Sequence, residues 1–277
     1  MSVQIIIDST VDLPARLRAQ TRIVPLVVRF GEEEYLDSVT INYEQFYEKL
    51  LNCKDLPCSS QPSPDTFESV YQSVADAGDE AVVLTISSKL SGTYQSACIA
   101  AEDFPNIHVV DTMTAAIGAG VLAQFALQLA GQGLDAKSIA AKLEDEKGNV
   151  RLFAVLDTLE FLKRGGRLSA TAALAGSLLN IKPVITLNDG IIEVVGKARG
   201  LRRGNAMMSE QVTASGGADL SMPFLLGYTG LTDDLLQGYL ADNTDLWPAE
   251  SVVTPIGSTI GTHVGPGAYA VAYFRKH

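Results

Sequence analysis

Ala81-Val-Val-Leu-Thr-Ile-Ser-Ser-Lys-Leu-Ser-Gly-Thr-Tyr-Gln-Ser-Ala97 changes character in mid-run. Ala81 to Ile86 is a short, β-branched and almost wholly apolar stretch, the pattern of a strand covered on both faces. Ser87 to Gly92 is polar and turn-prone, and a helix is expected from Thr93 or Tyr94 onward. A strand that passes through a short loop into a helix is the repeating unit of a parallel sheet, because parallel neighbours need a crossover to reconnect them.

The same grammar extends outward. Gln4 to Ile7, Ile23 to Phe30 and Ile107 to Val110 read as further strands. Ser63-Pro64 opens a helix with cap and first-turn proline in the preferred order, and Phe67, Val70, Tyr71 and Val74 follow at helical spacing. Another helix is expected over Thr114 to Ala130, with Ile117, Val121, Leu122, Phe125 and Leu129 on its buried face, and a fourth after Asp135. Beyond about Gly148 the runs Arg151–Leu156, Pro183–Leu187, Ile191–Val195, Pro223–Tyr228, Val252–Ile256 and Ala268–Tyr273 are strand-like, with fewer helices between them. Asn188-Asp189-Gly190 is a hairpin signal. The expected class is α/β in two domains: 1–148 with a largely parallel sheet and flanking helices, and 149–277 with a mainly antiparallel sheet and helices.

Composition excludes several function classes. The 277 residues are 47% hydrophobic and 19% charged, which suits a globular core. A formal net charge of −11 repels a phosphate backbone, so nucleic acid is not an expected partner. Two basic clusters, Lys163 to Arg167 and Arg199 to Arg203, suit a small anion or an acidic partner. Cys53, Cys58 and Cys98 are odd in number and lack CxxC or Cys/His spacing, so neither a disulfide framework nor a metal site is expected. No basic stretch precedes the first apolar run, and no apolar run approaches the roughly 18 residues of a membrane span. A cytoplasmic protein without a transmembrane segment is the expectation.

Familiar catalytic signatures are missing: there is no Walker A lysine loop, HExxH or GxSxG. Gly118-Ala-Gly-Val-Leu-Ala123 fits the GxGxxA dinucleotide pattern, but it falls inside the expected Thr114–Ala130 helix, where close helix packing is the better reading. Three hydroxyl-rich segments remain. The Ser87–Thr93 junction offers free N–H groups and a helix N-terminus to an anion, with Ser91 supplying a hydroxyl and Gly92 admitting a ligand to the backbone. Cys58 to Ser63 places hydroxyls beside another helix start. Gly257-Ser-Thr-Ile-Gly-Thr-His-Val-Gly-Pro-Gly267 reads as a polar ligand loop in which Ser258, Thr259, Thr262 and His263 are donors. Each also has a plain alternative: a capped helix start, an ordinary turn, or a strand-to-strand corner with a surface histidine. Thr158 to Ser169 is a short helix stopped by two glycines, after which Arg167 either takes a bidentate carboxylate or is a solvated charge.

Taken together these segments resemble the DegV family, bacterial fatty-acid-binding proteins that include the binding subunits of fatty acid kinase. The resemblance is carried by Asp8 to Pro14, Ser59 to Ser63, Leu90 to Tyr94, Thr158 to Arg167, Ile181 to Pro183 and Gly257 to Gly267. It implies a DegV-like fold with a fatty acid in a tunnel between the two domains, and no other cofactor. It assigns the carboxylate to Ser59, Ser91 and His263, with Arg167 in support, and implies that a partner kinase phosphorylates the bound acid. Arg199 would lie on the surface that meets that kinase. One departure is Ser59, where the family usually has threonine. Physically, a carboxylate in an apolar tunnel needs several donors, and each buried methylene contributes about 0.8 kcal/mol, which favours long chains such as palmitate. The competing class is a serine hydrolase or acyltransferase with Ser91 or Ser59 as nucleophile and His263 as base. A nicotinamide enzyme rests only on Gly118 to Ala123.

Overall fold

The computed structural model describes residues 2–168 and 181–276. Ser169, the last residue of the Thr158–Ser169 segment, lies outside them. Four parallel strands form the first sheet in the order β2-β1-β6-β7: β1 (Val3–Asp8), β2 (Thr21–Val24), β6 (Glu80–Thr85) and β7 (Ile107–Asp111). Helices α3 (Pro64–Asp76), α4 (Thr93–Ala101), α5 (Ala116–Gly131) and α6 (Ala136–Glu146) connect or follow them, close to the expected positions. Ser63 precedes Pro64 as expected, but its hydroxyl meets Thr66 Oγ1 at 3.1 Å and caps no backbone N–H.

The run Ile23–Phe30 is two strands, not one. Pro25 lacks the N–H a ladder needs, so β2 ends at Val24 and β3 (Val27–Phe30) turns away to pair antiparallel with β4 (Glu33–Leu36) and β5 (Cys58–Ser60). The latter two are short and polar and gave no strand signal. Helix α2 (Tyr43–Asn52), also unread in the sequence, packs under this small sheet and carries a capping box between Asn42 and Gln45.

After residue 148 the strands join a six-stranded sheet in the order β10-β9-β8-β13-β11-β12, antiparallel except for the β11–β12 pair. Its strands are β8 (Val150–Val155), β9 (Ile181–Asn188), β10 (Ile191–Arg199), β11 (Phe224–Tyr228), β12 (Val253–Pro255) and β13 (Tyr269–Phe274). The expected hairpin is present: Asn188 pairs with Ile191, and Asp189 and Gly190 between them both take positive φ, 46° and 78°. Helices α8 (Leu201–Ala214) and α9 (Asp234–Ala241) cover the outer face. Among the described residues no helix is long and apolar enough to cross a membrane.

Helix α5 lies between the two larger sheets. One hydrophobic cluster joins Ile5, Ile7, Val82 and Leu84 of the first sheet, through Ile117, Val121 and Leu122, to Leu225, Ala270 and Phe274 of the second. The GxGxxA match serves this packing. A Cβ on Gly120 would collide with the backbone carbonyl of Asp12, and one on Gly118 would strike Thr114 and reach Leu152 Cδ1 at 3.2 Å. Because the Asp12 carbonyl is main chain and cannot swing aside, Gly120→Ala is expected to lower the unfolding free energy by about 1–3 kcal/mol in urea titration, and NAD is expected to leave the melting temperature of the wild type unchanged.

Candidate functional site

The glycine-rich run is a helix rather than the expected loop. α10 spans Ser258–Val264 and stops at Gly265, whose φ of 73° and position under the Phe161 ring both require glycine. Its start is held from far away in sequence. The Gly257 N–H donates to Asp12 Oδ1 at 2.8 Å, and the Thr259 N–H and hydroxyl donate to Asp37 Oδ2 at 3.0 and 2.7 Å. Local signals favoured a loop because these acceptors come from the other end of the chain.

His263 faces β5. Its Nε2 lies 2.8 Å from Ser59 Oγ, so two of the sequence-selected residues meet across 204 positions. The imidazole Nδ1 is buried without a hydrogen-bond partner among the described residues. It presses against Gly165, the glycine that ends α7 (Glu160–Arg164), where a Cβ would overlap the ring nitrogen. Sequence reading gave Gly165 only the role of helix stop. Burial, and secondarily the Arg167 charge, push the His263 pKa down to about 4, so the ring is neutral near pH 7.

A cavity of about 320 Å³ opens from this pair into the space between the two larger sheets. Its walls are mostly aliphatic: Leu26 and Ile86 from the first half, Leu152, Ala154, Ile185 and Ala270 from the second sheet. Polar groups gather among its lining residues: Ser59, Ser91, Arg167, Thr229, Thr259 and His263. That volume lies within the roughly 300–1,000 Å³ of small-molecule sites.

The other expected residues divide. Ser91 lines the cavity, but its hydroxyl is 2.8 Å from Thr93 Oγ1, and no hydrogen bond joins it to His263. The Ser91–His263 dyad of the hydrolase reading is therefore not formed; the serine that meets the imidazole is Ser59. Arg167 also lines the cavity, with Nε donating to the Leu90 carbonyl at 3.2 Å and a terminal nitrogen to that of Gly165 at 2.7 Å. Gly92 stands behind Ser91, where a Cβ would strike the Gln61 amide, and does not line the cavity. Thr262 spends its hydroxyl on the Ser258 carbonyl at 3.0 Å and faces an outer pocket shared with Cys58 and Arg164. Arg199 is exposed at the end of β10, away from the cavity lining. Thr259, expected as a donor of the glycine-rich run, lines the cavity, and so do Thr10 and Thr229, which no sequence signal singled out.

The sequence profile described as "Uncharacterised protein, DegV family" matches residues 2–276. The chain belongs to the DegV family. A DegV domain-containing protein of Deinococcus radiodurans is 35% identical over 279 residues, covering 98% of both chains. The solved fatty-acid-binding DegV family protein of Thermus thermophilus is 35% identical and superposes with a TM-score of 0.87, covering 99% of this chain and 100% of that one. The Streptococcus pneumoniae fatty acid kinase B3 protein, solved loaded with linoleic acid, shares the fold with a TM-score of 0.86 at 23% identity and full coverage of both chains.

In this DegV protein the neutral histidine has a pH signature. Unfolded, the ring titrates at its ordinary value; folded, near 4. The unfolded chain therefore binds more protons between those values, and the stability contributed by a neutral buried ring, present above the ordinary histidine range, is lost as pH falls toward 4. The His263 ring resonances in NMR are expected to titrate with a midpoint near 4; a midpoint at the ordinary value would refute the buried neutral ring.

Proposed function

We propose that the protein binds one long-chain fatty acid, with the acyl chain in the cavity between its two halves, 1–148 and 149–277, and the carboxylate at Ser59 and His263. The observation that carries this reading is an aliphatic cavity that ends at a paired hydroxyl and imidazole. Aliphatic walls favour methylenes over water, and a carboxylate there is compensated only where donors converge. Ser59, His263, Ser91 and the Arg167 guanidinium supply those donors, with Thr262 and Gly92 shaping the segments that carry them. Fatty acid binding by the Thermus relative, at 35% identity over nearly the whole chain, supports the same reading.

The role is non-catalytic: the chain presents the carboxylate to a partner fatty acid kinase, and Arg199, exposed with Lys197, Arg202 and Arg203 on an otherwise acidic protein, belongs to the docking surface. A hydrolase would need a third group to orient the imidazole. Among the described residues Nδ1 has no hydrogen-bond partner.

Mass spectrometry of a denaturing extract of the recombinant protein is expected to yield a near-stoichiometric long-chain fatty acid. An empty protein that also takes up neither palmitate nor oleate would sink the proposal. His263→Ala and Ser59→Ala are each expected to weaken palmitate binding by about tenfold, the worth of one hydrogen bond to a charged group, while the protein stays folded by circular dichroism. Hydrolysis of p-nitrophenyl palmitate is expected at no more than the uncatalysed rate; turnover lost in Ser59→Ala would restore the hydrolase.

A further inference from the structure

Three buried aspartates, Asp8 at the end of β1, Asp12 just after it and Asp37 just after β4, accept hydrogen bonds from residues that line or adjoin the cavity. Asp8 Oδ1 accepts from the Thr10 N–H at 2.7 Å and from the Thr10 hydroxyl, and Oδ2 accepts from the Ile86 N–H at 2.7 Å. Asp12 and Asp37, each 1% exposed, take the Gly257 N–H and the Thr259 N–H and hydroxyl. Burying an acid is costly unless it accepts hydrogen bonds, and an ordinary surface cap would serve the α10 terminus without that cost.

We infer that Asp12 and Asp37 are positioning residues for the head-group site: by holding the first turn of α10 from the N-terminal half of the chain, they fix where His263 stands relative to Ser59. α10 is only seven residues long, so a tilt at its start moves its last turn. Its middle is fixed from the same side, with Gly261 pressed on the Phe46 and Tyr47 rings and the Tyr47 hydroxyl donating to the Ile256 carbonyl at 3.1 Å. Ser59 belongs to the same half, on β5. The helix is thus read out of the C-terminal sequence and seated on the N-terminal half at its start, middle and end.

The two acids differ chemically. Desolvation pushes the Asp12 carboxyl up to about 8, so it holds a proton near neutral pH, and Oδ2 has no hydrogen-bond partner among the described residues. Asparagine matches that protonated group in shape and keeps the acceptor for Gly257. Asp37 accepts two donors on one oxygen next to a helix N-terminus, where negative charge is favoured.

The inference rests on the carboxylate-site reading above, so its test separates the two. Delipidated wild type and variants are titrated with palmitate and with 1-hexadecanol, and His263 is followed by its imidazole nitrogen resonances. Asp37→Ala and Asp12→Ala are expected to cut the acid-over-alcohol preference by about tenfold with hexadecanol affinity unchanged, and to shift the His263 resonances. Asp12→Asn is expected to preserve both. Equal weakening of both ligands, the mark of general destabilisation, would overturn the inference. An unchanged preference with unmoved His263 resonances in both alanine variants overturns the inference. If Asp37→Ala does not fold, Asp37→Asn is read instead: a two- to threefold loss of preference with shifted resonances upholds the inference, and no change overturns it. If the wild type binds neither ligand, the fatty-acid reading fails by itself, and the His263 resonances alone decide the positioning role in the same sense.

Discussion

The first half of helix α5 has nowhere to put a polar face. Ala116 to Ala123 is buried without interruption, and a uniformly apolar helix is stable in water only when it is covered on all sides. One sheet cannot cover it, so two do: the parallel sheet on one side and the six-stranded sheet on the other. Close approach at Gly118 and Gly120 brings those layers together. The cavity lies where that filling stops. Ala115 and Ala116, at the start of α5, are part of its wall, as are the small side chains of Ala154 and Ala270, direct partners across β8 and β13.

The space bounded by the two sheets also has a polar end. β5 and α10 supply it, and neither would be stable alone. β5 is three residues long and mostly hydroxyl-bearing; it exists because β3 offers an edge after Pro25 turns the chain. α10 lies in an eleven-residue run with four glycines, and its first donors are met by aspartate side chains from the other half of the protein. The interior that hides the site also determines its chemistry. Desolvation keeps the imidazole neutral, so it can offer or accept a single hydrogen bond but brings no charge of its own. The nearest permanent cation among the lining residues is Arg167, tethered to the Leu90 and Gly165 carbonyls.

Much of this was legible beforehand because it depends on local pattern. The strand-to-helix change at Ala81–Ala97, the four helices of the first half and the Asp189–Gly190 turn follow from periodicity and φ preference, which need no distant partner. The hydroxyl segments and His263 stood out because they gather donors beside glycines and helix starts, although caps and turns use the same residues. What could not be read is whatever long-range contact settles: the split of Ile23–Phe30, the small sheet, and the helix inside Gly257–Gly267. Gly165 gave a helix-stop signal; that it also makes room for an imidazole is a fact about a residue 98 positions away.

The sequence by itself determined the class of fold, the order of the long strands and of helices α3 to α6, and the residue types from which the polar site is assembled, since these follow from hydrophobic period, turn chemistry and side-chain inventory. Tertiary structure decided which of those residues meet. It joined His263 to Ser59 and left Ser91 with Thr93, because hydrogen bonds form over about 3 Å in space whatever the separation along the chain. It also turned three aspartates of ordinary appearance into buried clamps, because the cost of desolvating a carboxyl, and the geometry that offsets it, exist only once the layers have closed.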